Sequence, residues 1–486
     1  MKPLERNFTA FVNYFLRILF FLILLGSIII AIGVLVRLSK TEVTVLFLCA
    51  LLLLAVSMGA AYFVYRYLKY ERNYTAAIAV IIGVSLILRV CWILFSDVKP
   101  FSDFSLIYDS GARFADGEYW VFKGTSYIAR FPHLTMLTIY SGIFQKVFTN
   151  ALLGIKLVNT VLSVISVYII YLIGGELYNN KSEGIWCAFA ASLFPPFILY
   201  NSVVCSENIA MPFFLGSIYI FILVVNGKRN LTWLFFSGIL LSLGNLFRMV
   251  AYVVAIAYIM YLAIYWQKKK LIKSCAIILM AFFIPLYITN LLLMSSGITE
   301  YPLWKGREPS ITSVLKGTNI DTLGMWNEED SKVAERYDYN YGAVETAAKE
   351  IIKARLTDTP FYKLLAFYAM KFAAQWSSGD FSAVYWSTGR IEILGTAASF
   401  STLVFFYAQI LFIIIILFAL RGLFNRRQYM ENKVINLFYI IFCGYGLFYL
   451  ITEQQPRYGY IVSWIFIILM FTYTKRCKEL VHEDKF

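Results

Sequence analysis

The sequence predicts an all-α polytopic membrane protein with about twelve membrane-spanning helices and two large external loops that carry amphipathic helices. Three observations lead there. Of 486 residues, 60% are hydrophobic and only 15% are charged. Apolar runs of about 17 to 25 residues recur along the chain, the length a helix needs to cross a bilayer. Basic residues gather in the short connections between those runs, where retention in the cytoplasm accounts for them. The net charge of +14, from 43 basic and 29 acidic residues, would suggest a nucleic-acid partner in a soluble chain. Here topology explains it, and no nucleic acid is expected.

Lys2 and Arg6 precede the first apolar run as in a signal sequence, but the run is too long and lacks a small-residue cleavage site. It reads as an uncleaved anchor. Spans at 11–36, 43–65 and 75–95 make an N-terminal unit, 1–95. The first external loop, 96–151, follows. In it Tyr108, Ala112, Phe114 and Tyr119 form a broken apolar stripe ended by an Asp116-Gly117 turn. That pattern predicts a short amphipathic helix on the membrane surface. The segment from His133 to Phe148 is apolar but short, and reads as a re-entrant or interfacial helix. If it crosses instead, the spans number thirteen and the basic loops divide between the two sides.

The central unit, 152–294, holds spans 152–173, 184–200, 203–226, 231–248, 250–266 and 271–294. The second external loop, 295–396, has a helical period from Ala343 to Leu356, stopped by Pro360. Phe361 to Trp376 is then a second amphipathic helix, with Lys363 and Lys371 on its polar side. Turn-rich, aromatic stretches at Gly317–Asn319 and Gly324–Asn327 suit either a sugar-contacting surface or a plain loop, and the loop as a whole is expected to cover the site and select the acceptor. The last unit, 397–486, holds spans 397–420, 434–451 and 457–474 and a tail.

The basic clusters are Arg66, Lys69 and Arg72; Lys228 and Arg229; Lys268 to Lys270 with Lys273; Arg421, Arg426, Arg427 and Lys433; and Lys475, Arg476 and Lys478. All fall on one side if there are twelve spans with both termini cytoplasmic. Seven cysteines show no CxxC spacing, so neither a disulfide framework nor a thiolate metal cluster is expected.

Against this apolar background a few polar residues stand out. Asp103 opens the first external loop, Ser206-Glu207 opens the span 203–226, Arg248 closes 231–248, and Glu453 and Arg457 lead into the last span. The twelve-span topology puts all of them at the outer face of the membrane. Each also has an ordinary explanation. Glu207 is favoured by a helix N-terminal dipole, Arg248 can snorkel to headgroups, Arg457 can anchor at the interface, and Asp103 can be a solvated loop residue. His133 beside Pro132 reads as structural. Their convergence on one leaflet favours a site. Arginine forks match phosphate oxygens, a placed cation helps most where charge develops on a leaving phosphate, and a carboxylate can act as general base.

The chain resembles the GT-C superfamily of integral-membrane glycosyltransferases, in particular the bacterial branch related to protein O-mannosyltransferases and lipid A aminoarabinose transferases. The resemblance rests on Asp103 followed by Tyr108, Ala112 and Gly117; on Phe131-Pro132-His133; on Ser206-Glu207; on Gly238 to Arg248; and on Glu453, Arg457 and Tyr458. It implies a transferase at the cell membrane that moves a sugar from a polyprenyl-phosphate donor to an extracytoplasmic glycan, lipid or protein acceptor. Asp103 would be the catalytic base and Arg457 the ligand of the lipid phosphate, with Arg248, Glu207, Glu453 and Tyr458 lining the substrate pocket. Asp103 is followed by Phe104 rather than a second acid, and two spans precede the Asp103 loop's own span where the family commonly has one. No cofactor is expected; relatives differ in using a divalent metal. The rival readings are a lipid-linked-sugar flippase or transporter, for which charges near the bilayer midplane and internal symmetry would speak, and a glycan polymerase or ligase using the same carriers.

Overall fold

The computed structural model describes residues 3–71, 73–266, 268–388 and 400–473. The expected basic residues Arg72, Lys475, Arg476 and Lys478, and Cys477, lie outside the described residues. Among those described the chain is helical and has no strand. The longer helices are α1 (Pro3–Val36), α2 (Lys40–Tyr70), α3 (Tyr74–Phe95), α4 (Asp103–Ala115), α5 (Thr135–Val147), α6 (Ala151–Tyr178), α7 (Lys181–Leu193), α8 (Ser206–Val225), α9 (Trp233–Phe247), α10 (Tyr252–Tyr265), α11 (Lys268–Ser295), α12 (Ile311–Gly317), α13 (Tyr341–Asp358), α14 (Phe361–Trp376), α15 (Phe400–Leu423) and α16 (Ile435–Ile451).

The expected apolar runs are helical over most of their described residues, but they divide by length. Among the described residues seven helices are long and apolar enough to cross a membrane, or eight if a bent pair is counted as one span. The runs 231–248, 250–266 and 434–451 are shorter apolar helices. The last run, 457–474, is assembled from the short helices Pro456–Val462, Trp464–Leu469 and Met470–Tyr473 rather than one continuous helix. The segment 133–148 becomes α5, 13 residues packed along α4.

The bent pair is α7 and Pro195–Ser202, which meet at 62°. Its cause is local. An unbroken helix would bond the nitrogens of Pro195 and Pro196 to the carbonyls of Ala191 and Ser192, and proline has no N–H to give. Arg89, on α3, supplies the missing donors. Its Nη2 is 3.5 Å from Ala191 O and its Nη1 is 3.2 Å from Ser192 O. Nη1 also donates to Ser85 Oγ at 2.6 Å and Nε to Ser163 Oγ at 2.8 Å. Arg89 is fully buried. Neither this buried charge nor the break had been expected from the sequence. Both have a structural task, which removes them as an argument for a transporter.

α4 carries Asp103 at its first turn, on a chain that enters through Ser102 at a positive φ of 55°. Its buried residues are Phe104, Ile107 and Gly111, and it packs along α5 with Gly111 at the contact. The two helices approach so closely that a Cβ on Gly142 would collide with Gly111 O. Gln145 of α5 fastens the contact by donating to Tyr108 O at 2.8 Å.

The two long loops are joined to each other. Arg130 pairs with Glu308 at 2.7 Å, Arg307 N donates to Ala129 O at 2.9 Å, and Glu300 accepts from Gly124 N at 2.7 Å. Both helices foreseen in the second loop are present, α13 slightly longer than expected and α14 at its expected limits. α14 is more than a surface helix. Its end packs against α1, where Ser27 Oγ donates to Ser377 O at 2.9 Å and Gln409 of α15 donates to the same carbonyl at 2.8 Å. Ser27 lies nine residues before the end of α1 at Val36, so α14 ends about 14 Å in from that end at the helical rise. Trp376 is accordingly buried, against Phe442 and Phe466.

Replacing Arg89 by leucine strands the Ala191 and Ser192 carbonyls, at about 1–3 kcal/mol for each buried group. Thermal unfolding of Arg89→Leu in detergent should show a clearly lowered midpoint; a midpoint equal to that of the wild type contradicts this role.

Candidate active site

Five of the six residues singled out from the sequence meet in one place. Arg457 is the first residue after Pro456 in the short helix Pro456–Val462, where Pro456 sets the start of the turn. Its Nη2 stands 3.8 Å from Asp103 Oδ2. The two side chains differ in setting: Arg457 is 8% exposed and Asp103 42%. The guanidinium is held by ring faces, with its carbon 4.7 Å from the Trp386 centroid, 4.9 Å from Phe104 and 5.3 Å from Tyr458. Such stacking stabilises a cation while leaving its edge N–H groups for another partner. Arg457 Nε and Nη1 are buried and have no hydrogen-bond partner.

A second ion pair lies alongside. Arg248, immediately after α9, reaches Glu207 in the first turn of α8 at 3.4 Å, and both side chains are largely buried. Glu207 also accepts from Ser206 Oγ at 3.2 Å. Tyr458 links the two pairs, since the Arg248 guanidinium lies 5.0 Å from its ring. A carboxylate at a helix N-terminus meets the positive end of the dipole, which is the ordinary explanation for Glu207. Here the same carboxylate also compensates a buried arginine.

Glu453 is placed differently. It accepts from Gln455 Nε2 at 2.8 Å and Tyr458 Oη at 3.3 Å, and its carboxylate is 3.6 Å from Lys316 Nζ. It reaches the other five residues only through Tyr458 and is engaged by the second loop.

His133 proves to be a neighbour of the buried pair. Burial first, then the charge of Arg248, brings its pKa down to about 4, with Glu207 opposing. At neutral pH it is an uncharged ring. Tyr127 faces Asp103, and burial followed by that carboxylate's charge raises the phenol's pKa and keeps it protonated. Tyr127, Phe104 and Trp386 were not foreseen as site residues. Trp386 belongs to a short helix, Ala383–Thr388, 71 positions from Arg457, and no local pattern ties the two. Among the described residues no group of three or more His, Cys, Asp or Glu is arranged to hold a metal ion.

This arrangement can fix an anion beside a partly solvated carboxylate. Arg457 offers unpartnered N–H groups from a dry, aromatic seat, and Asp103 occupies the more open edge. Its physical cost is the burial of two guanidinium groups. Glu207→Gln, which leaves Arg248 without its counter-ion, should lower stability by about 3–5 kcal/mol. Adding Arg248→Met should recover much of that loss in thermal unfolding. A double variant no more stable than the single one contradicts the pairing.

Residues 135–291 match the family described as Dolichyl-phosphate-mannose-protein mannosyltransferase. The structure resembles the archaeal oligosaccharyltransferase AglB from Archaeoglobus fulgidus in complex with an inhibitory peptide and a dolichol-phosphate, at 13% identity and a TM-score of 0.47. That likeness covers 86% of this chain and 52% of the other. The Archaeoglobus fulgidus oligosaccharyltransferase in its apo form gives 11% identity, 85% and 52% coverage and a TM-score of 0.44. The chain thus spans about half the length of these solved structures. No curated protein matches it. The family match runs through the helices that supply Glu207 and Arg248, and over those residues it supports a likeness of this multi-pass helical chain to the GT-C superfamily of glycosyltransferases.

Proposed function

We propose that this protein transfers a sugar from a polyprenyl-phosphate-linked donor to an acceptor on the extracytoplasmic side of the cell membrane, with Asp103 as general base and Arg457 as the ligand of the lipid phosphate. One observation supports it above the rest. A carboxylate from the first long loop and a dry, aromatic-seated arginine 354 positions later face each other at 3.8 Å. The family matched by residues 135–291, described by a dolichyl-phosphate-linked sugar and a protein acceptor, supports the same class of donor.

Without substrate, Asp103 is the carboxylate paired with Arg457 among the described residues. A donor phosphate binding to the guanidinium replaces it, because a forked donor pair suits phosphate oxygens. Asp103 is then released to the acceptor. Its carboxylate takes the proton of an acceptor hydroxyl while that oxygen bonds to the anomeric carbon. The bond from that carbon to the phosphate oxygen breaks, its electron pair leaves with the polyprenyl phosphate, and Arg457 meets the charge that develops there. Arg248 and Glu207, close behind Tyr458, keep the seat of Arg457 rigid and electrostatically balanced. The acceptor approaches from the second long loop. The basic clusters of the short loops support the cytoplasmic placement of both termini.

The test is transfer from a polyprenyl-phosphate sugar supplied to the outer face of right-side-out membrane vesicles. Asp103→Asn should slow transfer by about 10²–10⁴-fold, the usual contribution of a general base, with the KM for donor no higher than in the wild type, since the carboxylate that competes for Arg457 is gone. Transfer at the wild-type rate contradicts the role of Asp103, and transfer seen only from the inner face contradicts the orientation.

A further inference from the structure

Arg457 is delivered by a short irregular linker, Thr452–Gln455, between α16 and the helix that begins at Pro456. Such a linker leaves helix-end and backbone groups that need partners from elsewhere. They come from the second long loop. Lys371 Nζ, on α14, donates to Leu450 O at 2.8 Å, to Thr452 O at 2.8 Å and to Gly317 O at 2.5 Å. Glu453 N donates to Ser313 Oγ at 3.3 Å, and Gln454 N to Gly324 O at 2.8 Å. Gln375, one turn after Lys371, accepts from Gln455 N at 3.1 Å and donates to Gln455 O at 2.8 Å. At Gly317 any Cβ would strike the backbone of Ile451 and Thr452, so only glycine allows α12 to end this close.

We propose that Lys371 is the positioning residue of Arg457: through Thr452–Gln455 it sets where the phosphate-binding guanidinium stands. An ammonium has three N–H groups, and here each has one carbonyl. Leu450 and Thr452 lie at the C-terminal end of α16 and Gly317 at that of α12, where a cation is favoured by both dipoles. Lys371 is fully buried, so its three donors have no competing water. The inference rests on Arg457 as the phosphate ligand. It adds that the loop facing the acceptor and the arginine holding the donor are one mechanical unit, so disorder in that loop weakens donor binding.

A dependence on pH follows from the count of donors. The charged groups facing Lys371 are Glu453 from the linker and, across that carboxylate, Lys316 from α12; α16 contributes the Leu450 carbonyl. Burial lowers the Lys371 pKa to about 8, with Glu453 acting the other way. Below that pH the side chain has three donors for three carbonyls. Above it, the amine has two, and a lone pair faces the third oxygen. Donor binding should therefore weaken as pH rises through about 8, and Lys371→Arg, which stays charged, should move that limb upward.

The experiment compares wild type, Lys371→Met, Lys371→Arg and Gln375→Ala by amide hydrogen exchange and by donor kinetics in nanodiscs. Lys371→Met and Gln375→Ala should speed exchange over residues 450–458 and leave α8 unchanged. They should raise the donor KM by about tenfold, equivalent to ~1.4 kcal/mol, with kcat little altered. Unchanged exchange over 450–458 in both variants overturns the inference, as does faster exchange with an unchanged donor KM. If Lys371→Met loosens the whole protein, Gln375→Ala decides. If the wild type transfers no sugar from any polyprenyl-phosphate donor, the proposed function fails, and the affinity of Lys371→Met for plain polyprenyl phosphate decides the positioning role: equal affinity to the wild type overturns it.

Discussion

The structure depends on keeping a guanidinium charged where water barely reaches. Arg457 is 8% exposed, and a second buried arginine, Arg248, stands across the ring of Tyr458. Removing such ions from water costs several kcal/mol each unless partners are fixed in place. Aromatic faces, Asp103 and the Glu207–Arg248 pair provide them. None of these partners is near Arg457 in sequence except Tyr458, so the fold has to bring them together.

Much of the architecture serves that requirement. α4 presents Asp103 because glycines let it lie against α5, and α8 presents Glu207 from its first turn. The break at Pro195, with its carbonyls held by Arg89, turns the chain directly ahead of α8. Arg89 and Lys371 solve the same problem in the same way. Each is a buried cation whose N–H groups satisfy carbonyls that a helix end or a proline has left without partners. Arg89 does so inside the bundle, and Lys371 does so where the second loop grips the linker to Arg457. Both are long basic side chains that sequence reading tends to assign to solvated surfaces.

The broad fold was legible because hydrophobic run length is a direct physical requirement of spanning a bilayer. The amphipathic helix at Asp103 and the helix Phe361–Trp376 were legible through spacing, proline and turn residues. The convergence of Asp103, Arg457, Arg248 and Glu207 was legible through loop charge, since topology alone assigns residues to a leaflet. What stayed hidden was tertiary. The ring seat made by Trp386 depends on contacts across the chain, and Lys371 looks like the polar side of an amphipathic helix until the depth of α14 is known. Glu453 was grouped with the substrate-lining residues through the Glu-x-x-x-Arg-Tyr motif it shares with Arg457 and Tyr458; it touches Tyr458 Oη and is also held by Lys316 and by Gln455 of the linker. The rupture of the run 184–200 could have been read from Pro195-Pro196, but only the position of Arg89 shows how the freed carbonyls are satisfied.

In the proposed reaction the dry edge of Arg457 is a phosphate site from which Asp103 is displaced. A structure of the protein in nanodiscs with bound polyprenyl phosphate tests it most directly. Phosphate oxygens should lie at hydrogen-bonding distance, about 2.7–3.2 Å, from the Arg457 guanidinium, with the Asp103 carboxylate turned away toward the open side. A phosphate bound elsewhere, with Asp103 still paired to Arg457, would contradict it.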